Sequence, residues 1–384
     1  MQGKAILLVE TELLNWDAEH YHAISKKGYF GINVAFFPLL PAIWRLSGFN
    51  AYGITLFNIL IFYAGFVWLA GLLSLKKREV LLALSIPGFM FFYVPYTEAL
   101  FFLLSVLVLY SFKRENLLYL LTGLFFLTLT RTIISVLLPA IILTILLKKQ
   151  AANRFYSIRT ILLCLLVIAM AMAIIVFIQN NQTGEPFGFF TYHRDYWHHY
   201  FRIPSFPLGS WENSTRLVLL LDGIGLFISF LCTFRLSVLI WNKFKGQEYD
   251  YEGFEILALF YLIGGGFAIL LFQGGNIMSM NRYLFATAFF IVIFKHFADW
   301  YKFKPAHFFY LFASLEVFWL LFKSYDRLNT FLRLSLASVY YTGILAVFHR
   351  SVYVKNTAFV IFYVLNAITQ MYCLDVFMSG QWVS

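Results

Sequence analysis

Apolar residues occupy most of this chain in blocks separated by short polar connections. The blocks fall at about 33–47, 51–75, 80–94, 97–112, 116–130, 132–147, 160–179, 217–241, 254–273, 283–297, 307–322, 334–348 and 357–378. A membrane-crossing helix needs about 20 apolar residues. The pattern therefore predicts an all-α polytopic membrane protein with about eleven to thirteen transmembrane helices, the shorter blocks tilting or merging with their neighbours. The expected organisation is a single domain over residues 1–384. A first outer loop with interfacial helices covers 15–48, and a long outer loop covers 180–216.

Composition removes the alternatives. Of 384 residues, 61% are hydrophobic and 12% are charged, about half the charge of an ordinary soluble domain. With 46 Phe, 24 Tyr and 9 Trp and a mean hydropathy of +0.75, disorder and a disulfide scaffold are excluded. So is a soluble domain, because no globule of this size hides so much apolar surface. The spans leave no length for a soluble catalytic domain. Any chemistry must sit on loops and at helix ends.

The net charge of +10 would suggest nucleic acid in a soluble protein. Here the basic residues lie between apolar blocks, where they act as topology signals and contacts to anionic membrane lipids, and no nucleic acid is expected. Lys76-Lys77-Arg78, Lys113-Arg114, Lys148 to Arg159, Lys243 with Lys245, Lys295 to Lys304 and Arg350 to Lys355 form one set of connections. The positive-inside rule makes that set cytoplasmic. The other set comprises 1–32, the corner at Pro95, 180–216, 274–282 and 323–333. It holds most of the Trp, His, Tyr and acidic residues, so the working face is expected to be extracytoplasmic. Residues 1–14, with Glu10 and Glu12, are too short and acidic to span and lack signal-peptide features. Either they lie on the membrane surface or an upstream segment is missing. Cys164, Cys232 and Cys373 lie inside apolar blocks without ligand spacing and read as packing residues.

Polar residues suited to chemistry fall in a few outer segments. In N-W-D-A-E-H-Y-H-A-I-S-K-K-G-Y, residues 15–29, helical spacing puts Asp17, His20, Tyr21 and Ile24 on one face. Trp16 and Tyr21 are aromatics suited to headgroup level. A carboxylate one turn from a histidine suits general-base work; an interfacial amphipathic helix is the plainer reading. In A-F-F-P-L-L-P, residues 35–41, two prolines break a long span. Glu98 opens the helix of P-Y-T-E-A-L-F-F-L-L-S, residues 95–105, where capping of the positive helix end is the competing account.

Arg131 stands between two apolar blocks in L-T-R-T, residues 129–132. A charge is costly there, so a functional role is the default, and its fork suits a phosphate. The loop T-G-E-P-F-G-F-F-T-Y-H-R-D-Y-W-H-H-Y, residues 183–200, crowds Tyr192, His193, Arg194, Asp195, Trp197, His198 and His199 together. H-x-x-x-x-H-H has no recognised ligand spacing, so no metal is expected. The loop reads as an aromatic, basic surface for a sugar and an anionic headgroup. Arg282 and Tyr283, in N-I-M-S-M-N-R-Y-L-F at 276–285, start a span at its outer end, with snorkelling as the competing account. Asp222 and Glu316 are acidic residues inside apolar blocks, where either could mark an ion pathway; Asp222, near the outer end of its block, reads as interfacial. Glu316 lies mid-block with no partner evident in the sequence.

In this order the segments resemble the PIG-V mannosyltransferase family of the GT-C membrane glycosyltransferases. The resemblance rests on Trp16-Asp17 with His20-Tyr21, Ala35 to Pro41, Tyr96 to Phe101, Thr130-Arg131, Gly184-Glu185-Pro186 on to Trp197, and Arg282-Tyr283. It covers about residues 15–285, and the tail from about 300 matches only as apolar spans. It implies a GT-C-type bundle with its active site on extracytoplasmic loops. The implied donor is mannose on a polyprenyl or dolichyl phosphate, and the acceptor is lipid-linked or a glycan. Transfer would be inverting, with no nucleotide sugar, metal or cofactor.

The resemblance places the catalytic carboxylate at Asp17, with Glu98 in reserve. It puts the lipid phosphate on Arg131, Arg282 and Arg194, and the sugar on Trp16, Tyr192 and Trp197. His20 would orient Asp17 or bind the acceptor; Tyr21, Glu185 and Tyr283 complete the substrate-binding set. Two departures stand out. The family normally has a spanning helix before the W-D loop, and none precedes it here. The compact chain also points to a prokaryotic plasma membrane rather than an endoplasmic reticulum membrane. The rival readings are a transporter or lipid flippase, with Glu316 and Arg131 as pathway charges, and a non-catalytic GT-C-like subunit. Polar residues gathered at one outer face favour the transferase; residues lining the bilayer midplane favour transport.

Overall fold

The computed structural model describes residues 9–148, 153–210, 216–246, 251–300, 304–322 and 328–383. Apart from two isolated bridges, Leu208 with Phe322 and Gly209 with Asn276, the regular structure among these residues is helical. In chain order the α-helices are α1 (Asp17–Lys27), α2 (Leu39–Ser47), α3 (Ala51–Leu73), α4 (Lys77–Leu84), α5 (Glu98–Arg114), α6 (Leu117–Thr128), α7 (Ile134–Leu147) and α8 (Ile158–Thr183). There follow α9 (Gly188–Asp195), α10 (Arg216–Phe244), α11 (Gly253–Phe272), α12 (Met280–Phe285), α13 (Ala288–Trp300), α14 (Pro305–Trp319), α15 (Leu328–Gly343) and α16 (Val352–Met378).

This is an all-α polytopic membrane protein. Among the described residues, six stretches are long and apolar enough to cross a bilayer: α3, α8, α10 from Leu217, α11, Leu328–Phe348 and α16. A 3-10 stretch, Pro87–Tyr93, meets α5 at 105° and makes a seventh if the bent pair counts as one span; α6, α7 and Ala288–Ala298 are shorter apolar helices. The sequence led to an expectation of eleven to thirteen spans. The difference arises because several apolar blocks are broken into short helices and 3-10 turns rather than running straight through.

Lipid exposure separates the helices. Only 22% of the apolar window of α8 is buried, against 61% for α11. Leu162, Leu166, Met170 and Phe177 of α8 are all exposed. A soluble surface does not carry such a stripe, whereas a bilayer-facing helix does. In the interior, α10 and α11 meet almost backbone to backbone. A Cβ on Gly266 would stand 2.1 Å from Ser229 Oγ, and that hydroxyl donates to the Leu262 carbonyl at 2.9 Å. Small residues and short polar links of this kind hold helices together where the hydrophobic effect gives little drive.

The break before α5 positions the site. Asn58, fully buried on α3, donates its Nδ2 to the carbonyls of Val94 (2.7 Å) and Tyr96 (2.8 Å). It thereby satisfies acceptors that a broken helix would otherwise leave bare in an apolar interior. Phe62 stacks on Phe92 at 4.1 Å and stands edge-on to Phe89 and Phe102, packing the corner shut. The result is a rigid bend that delivers Glu98 as the first residue of α5.

Candidate active site

The W-D turn is strained and tied down. Trp16 has φ 57 and ψ −123, a conformation that a bulky residue holds only when its surroundings impose it. Asn15 Nδ2 donates to the Phe377 carbonyl at 2.9 Å and Trp16 Nε1 to the Gln381 carbonyl at 3.3 Å. The Trp16 ring also meets Trp382 edge-on at 4.8 Å. This fastening aims Asp17, the first residue of α1, at α12. One turn on, the Tyr21 and Thr97 hydroxyls hydrogen-bond at 3.3 Å. Burial pushes the Tyr21 phenol above its ordinary value, so it stays neutral.

Four charged residues from separate segments then join. Arg282 Nη2 lies 2.7 Å from Asp17 Oδ2, Arg282 Nε donates to Glu98 Oε1, and Arg131 Nη1 lies 2.9 Å from the same Glu98 oxygen. Glu98 is 0%, Arg282 2% and Arg131 9% exposed, while Asp17 is 21% exposed. The Arg131 guanidinium sits 4.5 Å from the Tyr283 ring centre, and that of Arg282 sits 4.4 Å from Tyr96. Burial opposes both guanidinium charges, but Glu98, with Asp17 for Arg282, more than offsets it, and both arginines titrate above their ordinary value. Two carboxylates against two guanidiniums leave the cluster neutral, the condition under which buried charge is tolerable.

Asp222 explains how a six-residue helix holds its arginine. Fully buried on α10, it accepts from the Asn281 backbone N–H at 2.9 Å and from Ser210 Oγ at 3.1 Å. It thus ties down the start of α12, one residue before Arg282. From the sequence, Asp222 read as interfacial, with an ion-pathway charge as the alternative, and neither reading foresaw this fastening.

The cluster opens into a cavity of about 80 Å³, room for several waters. Asp17, Tyr21, Arg131, Arg282 and Tyr283 line it, and so do Trp197, His193, His199 and Trp382. His193 and His199 stack at 5.7 Å, with Trp197 at 5.4 Å from His193. Burial lowers both imidazoles, His199 to about 4 with help from His193, Arg202 and His198. At neutral pH this wall therefore presents uncharged rings. Gln273 and Ser279 also line it, with Phe36 and Phe37 among the remaining lining residues.

Other expected site residues lie elsewhere. His20 stacks on Phe36 at 4.6 Å, behind the wall that Phe36 and Trp197 form edge to face at 5.9 Å. Among the described residues it makes no hydrogen bond to Asp17. Its imidazole is lowered by burial, against the pull of Asp17 and Glu19. Trp16 reaches the cavity only through its contact with Trp382. Glu185 is exposed, and Tyr192 packs with Ile24, Tyr29 and Val34. Arg194 is 64% exposed and paired with Asp195 at 2.5 Å. None of these three lines the cavity. Glu316 accepts from Ser335 Oγ at 3.0 Å.

Trp382, Gln273 and Ser279 were missed by sequence reasoning. The only signal for Trp382 was a tryptophan after the last apolar block. Among the described residues no group of three or more His, Cys, Asp or Glu is placed to hold a metal ion. The architecture defines the class, a multi-pass all-α membrane protein with a charged cavity at one end of its helices. Comparison with protein-family models, curated proteins and solved structures returns no match.

Proposed function

We propose that this protein is a PIG-V-like membrane glycosyltransferase that moves mannose from a polyprenyl- or dolichyl-phosphate donor to a lipid-linked or glycan acceptor. Its setting on this reading is a prokaryotic plasma membrane, with the endoplasmic reticulum membrane as the alternative. One observation carries the reading. Asp17, Glu98, Arg131 and Arg282 converge from four segments into one buried cluster that opens on an aromatic-walled cavity.

Asp17 is the member of that cluster most open to the cavity, so it takes the proton of the acceptor hydroxyl as that oxygen attacks the anomeric carbon. The bond from that carbon to the lipid phosphate oxygen breaks as the new glycosidic bond forms. The phosphate leaves with the electron pair, and Arg131 and Arg282 meet its charge with preorganised donors in a dry site. Arg282 is shared between Asp17 and the phosphate position. Binding of the donor draws its charge away from Asp17 and frees the carboxylate to act as base. Glu98 stays buried and holds the two guanidiniums side by side.

The placement of these charges favours transfer over transport. Glu98 starts α5, Arg131 stands between α6 and α7, and Arg282 lies on the short helix α12, all three gathered in one cluster, while Glu316 stands apart with Ser335. The test is transfer from labelled polyprenyl-phosphate-mannose by purified protein in lipid nanodiscs. Asp17→Asn should lower turnover by about 10²–10⁴-fold, the range for a lost general base, in protein that is still folded at the assay temperature. Turnover near wild type would overturn the assignment.

A further inference from the structure

We infer that Trp382 binds the donor's sugar, and that residues 380–383 form a strap closing the cavity over Asp17. This rests on the transferase reading and adds a residue to it. The strap begins where α16 ends. Gly380, at φ 76, turns the chain in a conformation that only glycine adopts readily, and the Gln381 N–H closes the turn on the Val376 carbonyl at 3.1 Å. The chain then runs inward instead of continuing the line of α16.

Its fastenings are specific. The Gln381 carbonyl accepts from Trp16 Nε1, and the Trp382 ring meets Trp16 edge-on. Val383 is buried, and its carbonyl accepts from Asn281 Nδ2 at 3.4 Å. The strap is therefore pinned to the two elements that present Asp17 and Arg282, through the immediate neighbours of those residues. A strap that only sealed the helix ends would need neither attachment.

The chemistry of the cavity identifies what the Trp382 ring meets. Its charged side is taken by Arg131 and Arg282, which suit the phosphate. Trp382 and Trp197 are the two indoles of the lining. A hexopyranose has apolar C–H faces and a polar rim, so its faces pack on aromatic rings while its hydroxyls reach hydrogen-bonding groups. Aromatic rings beside a phosphate-binding pair of arginines match a hexose joined to a lipid phosphate. They do not match the lipid phosphate alone.

The experiment separates the sugar from the phosphate. Full-length protein in nanodiscs is titrated with polyprenyl phosphate and with polyprenyl-phosphate-mannose, and donor KM and kcat are measured alongside. Trp382→Ala should weaken binding of the mannose-bearing lipid roughly tenfold, about the value of one well-made aromatic contact. The bare lipid phosphate should change by less than about twofold, and donor KM should rise more than kcat falls. Trp382→Phe should restore most of the loss. Equal weakening of both lipids, or of neither, overturns the inference while leaving the transferase reading intact. A wild-type protein that binds neither lipid overturns both.

Discussion

Ion pairs stand at both ends of the helix bundle, and they are built differently. At the basic end, Lys295 pairs with Glu79 at 3.2 Å. Nearby, His296 bridges Glu255 (3.1 Å) and the Tyr251 hydroxyl (2.8 Å). Their side chains are 11–19% exposed, and each contact ties one element to another. At the other end, a single oxygen of fully buried Glu98 serves two guanidiniums, while its Oε2 has no hydrogen-bond partner among the described residues. A staple needs one acceptor per donor and access to water. The Asp17 end instead concentrates desolvated charge beside a cavity, an expensive arrangement that structure alone does not require.

The largest expected effect tests that contrast directly. Glu98→Gln leaves two buried guanidiniums facing a neutral amide, and breaking a buried network in this way costs about 3–5 kcal/mol. The change should appear as a large fall in apparent melting temperature in detergent. Glu79→Gln at the basic end should cost less than Glu98→Gln, because Glu79 keeps 14% side-chain exposure against 0% for Glu98 and neutralising it deprives one cation of its partner rather than two. Equal shifts for the two variants would mean that the ends do not differ in the way described.

How far the sequence foretold this contrast depends on the residue. Asp17, Glu98, Arg131 and Arg282 were legible because a charge in or beside an apolar block has few explanations. Their pairing was not, since Arg282 and Glu98 are 184 positions apart and no local periodicity links them. The membrane class followed from composition. The span count did not, because the corner at Pro95 depends on Asn58, from α3, satisfying two carbonyls of the non-helical corner itself. In the 183–200 loop, residue types suggested a site, yet they do not say which side chains turn inward. Trp197, His193 and His199 line the cavity while Arg194 pairs at the surface with Asp195. Asp222 acts by accepting from a backbone N–H, and Trp382 is held in place by backbone bonds of its neighbours Gln381 and Val383; such fastenings leave no mark on composition or spacing.

A smaller effect sharpens the comparison at single side chains. Arg282 spans Asp17 and Glu98 with different nitrogens of one planar fork, whereas Lys295 offers one ammonium to Glu79. Arg282→Lys keeps the charge but reaches only one partner at a time, so kcat/KM for the donor should fall by about a hundredfold. Lys295→Arg should leave activity within about twofold, because a point-charge contact at the far end accepts either cation. Steady-state kinetics with polyprenyl-phosphate-mannose decides. If both exchanges are equally tolerated, the fork geometry at Arg282 is not what the site uses.

The smallest effect concerns protons. His199 is surrounded by His193, Arg202 and His198, and burial with those neighbours lowers it to about 4; His193 is lowered as well, chiefly by burial. In the unfolded chain each imidazole takes up its proton near pH 6.5. The folded protein refuses that proton until lower pH, so these residues favour the native state fully above about 6.5. That stability drains away as pH falls from about 6.5 towards 4, because only the unfolded chain gains protons in that window. Melting temperature in detergent should decline over this interval, and His199→Gln should flatten part of the slope. A variant with the wild-type slope would mean that His199 meets water freely, and the neutral wall facing the arginines would then have to be drawn without it.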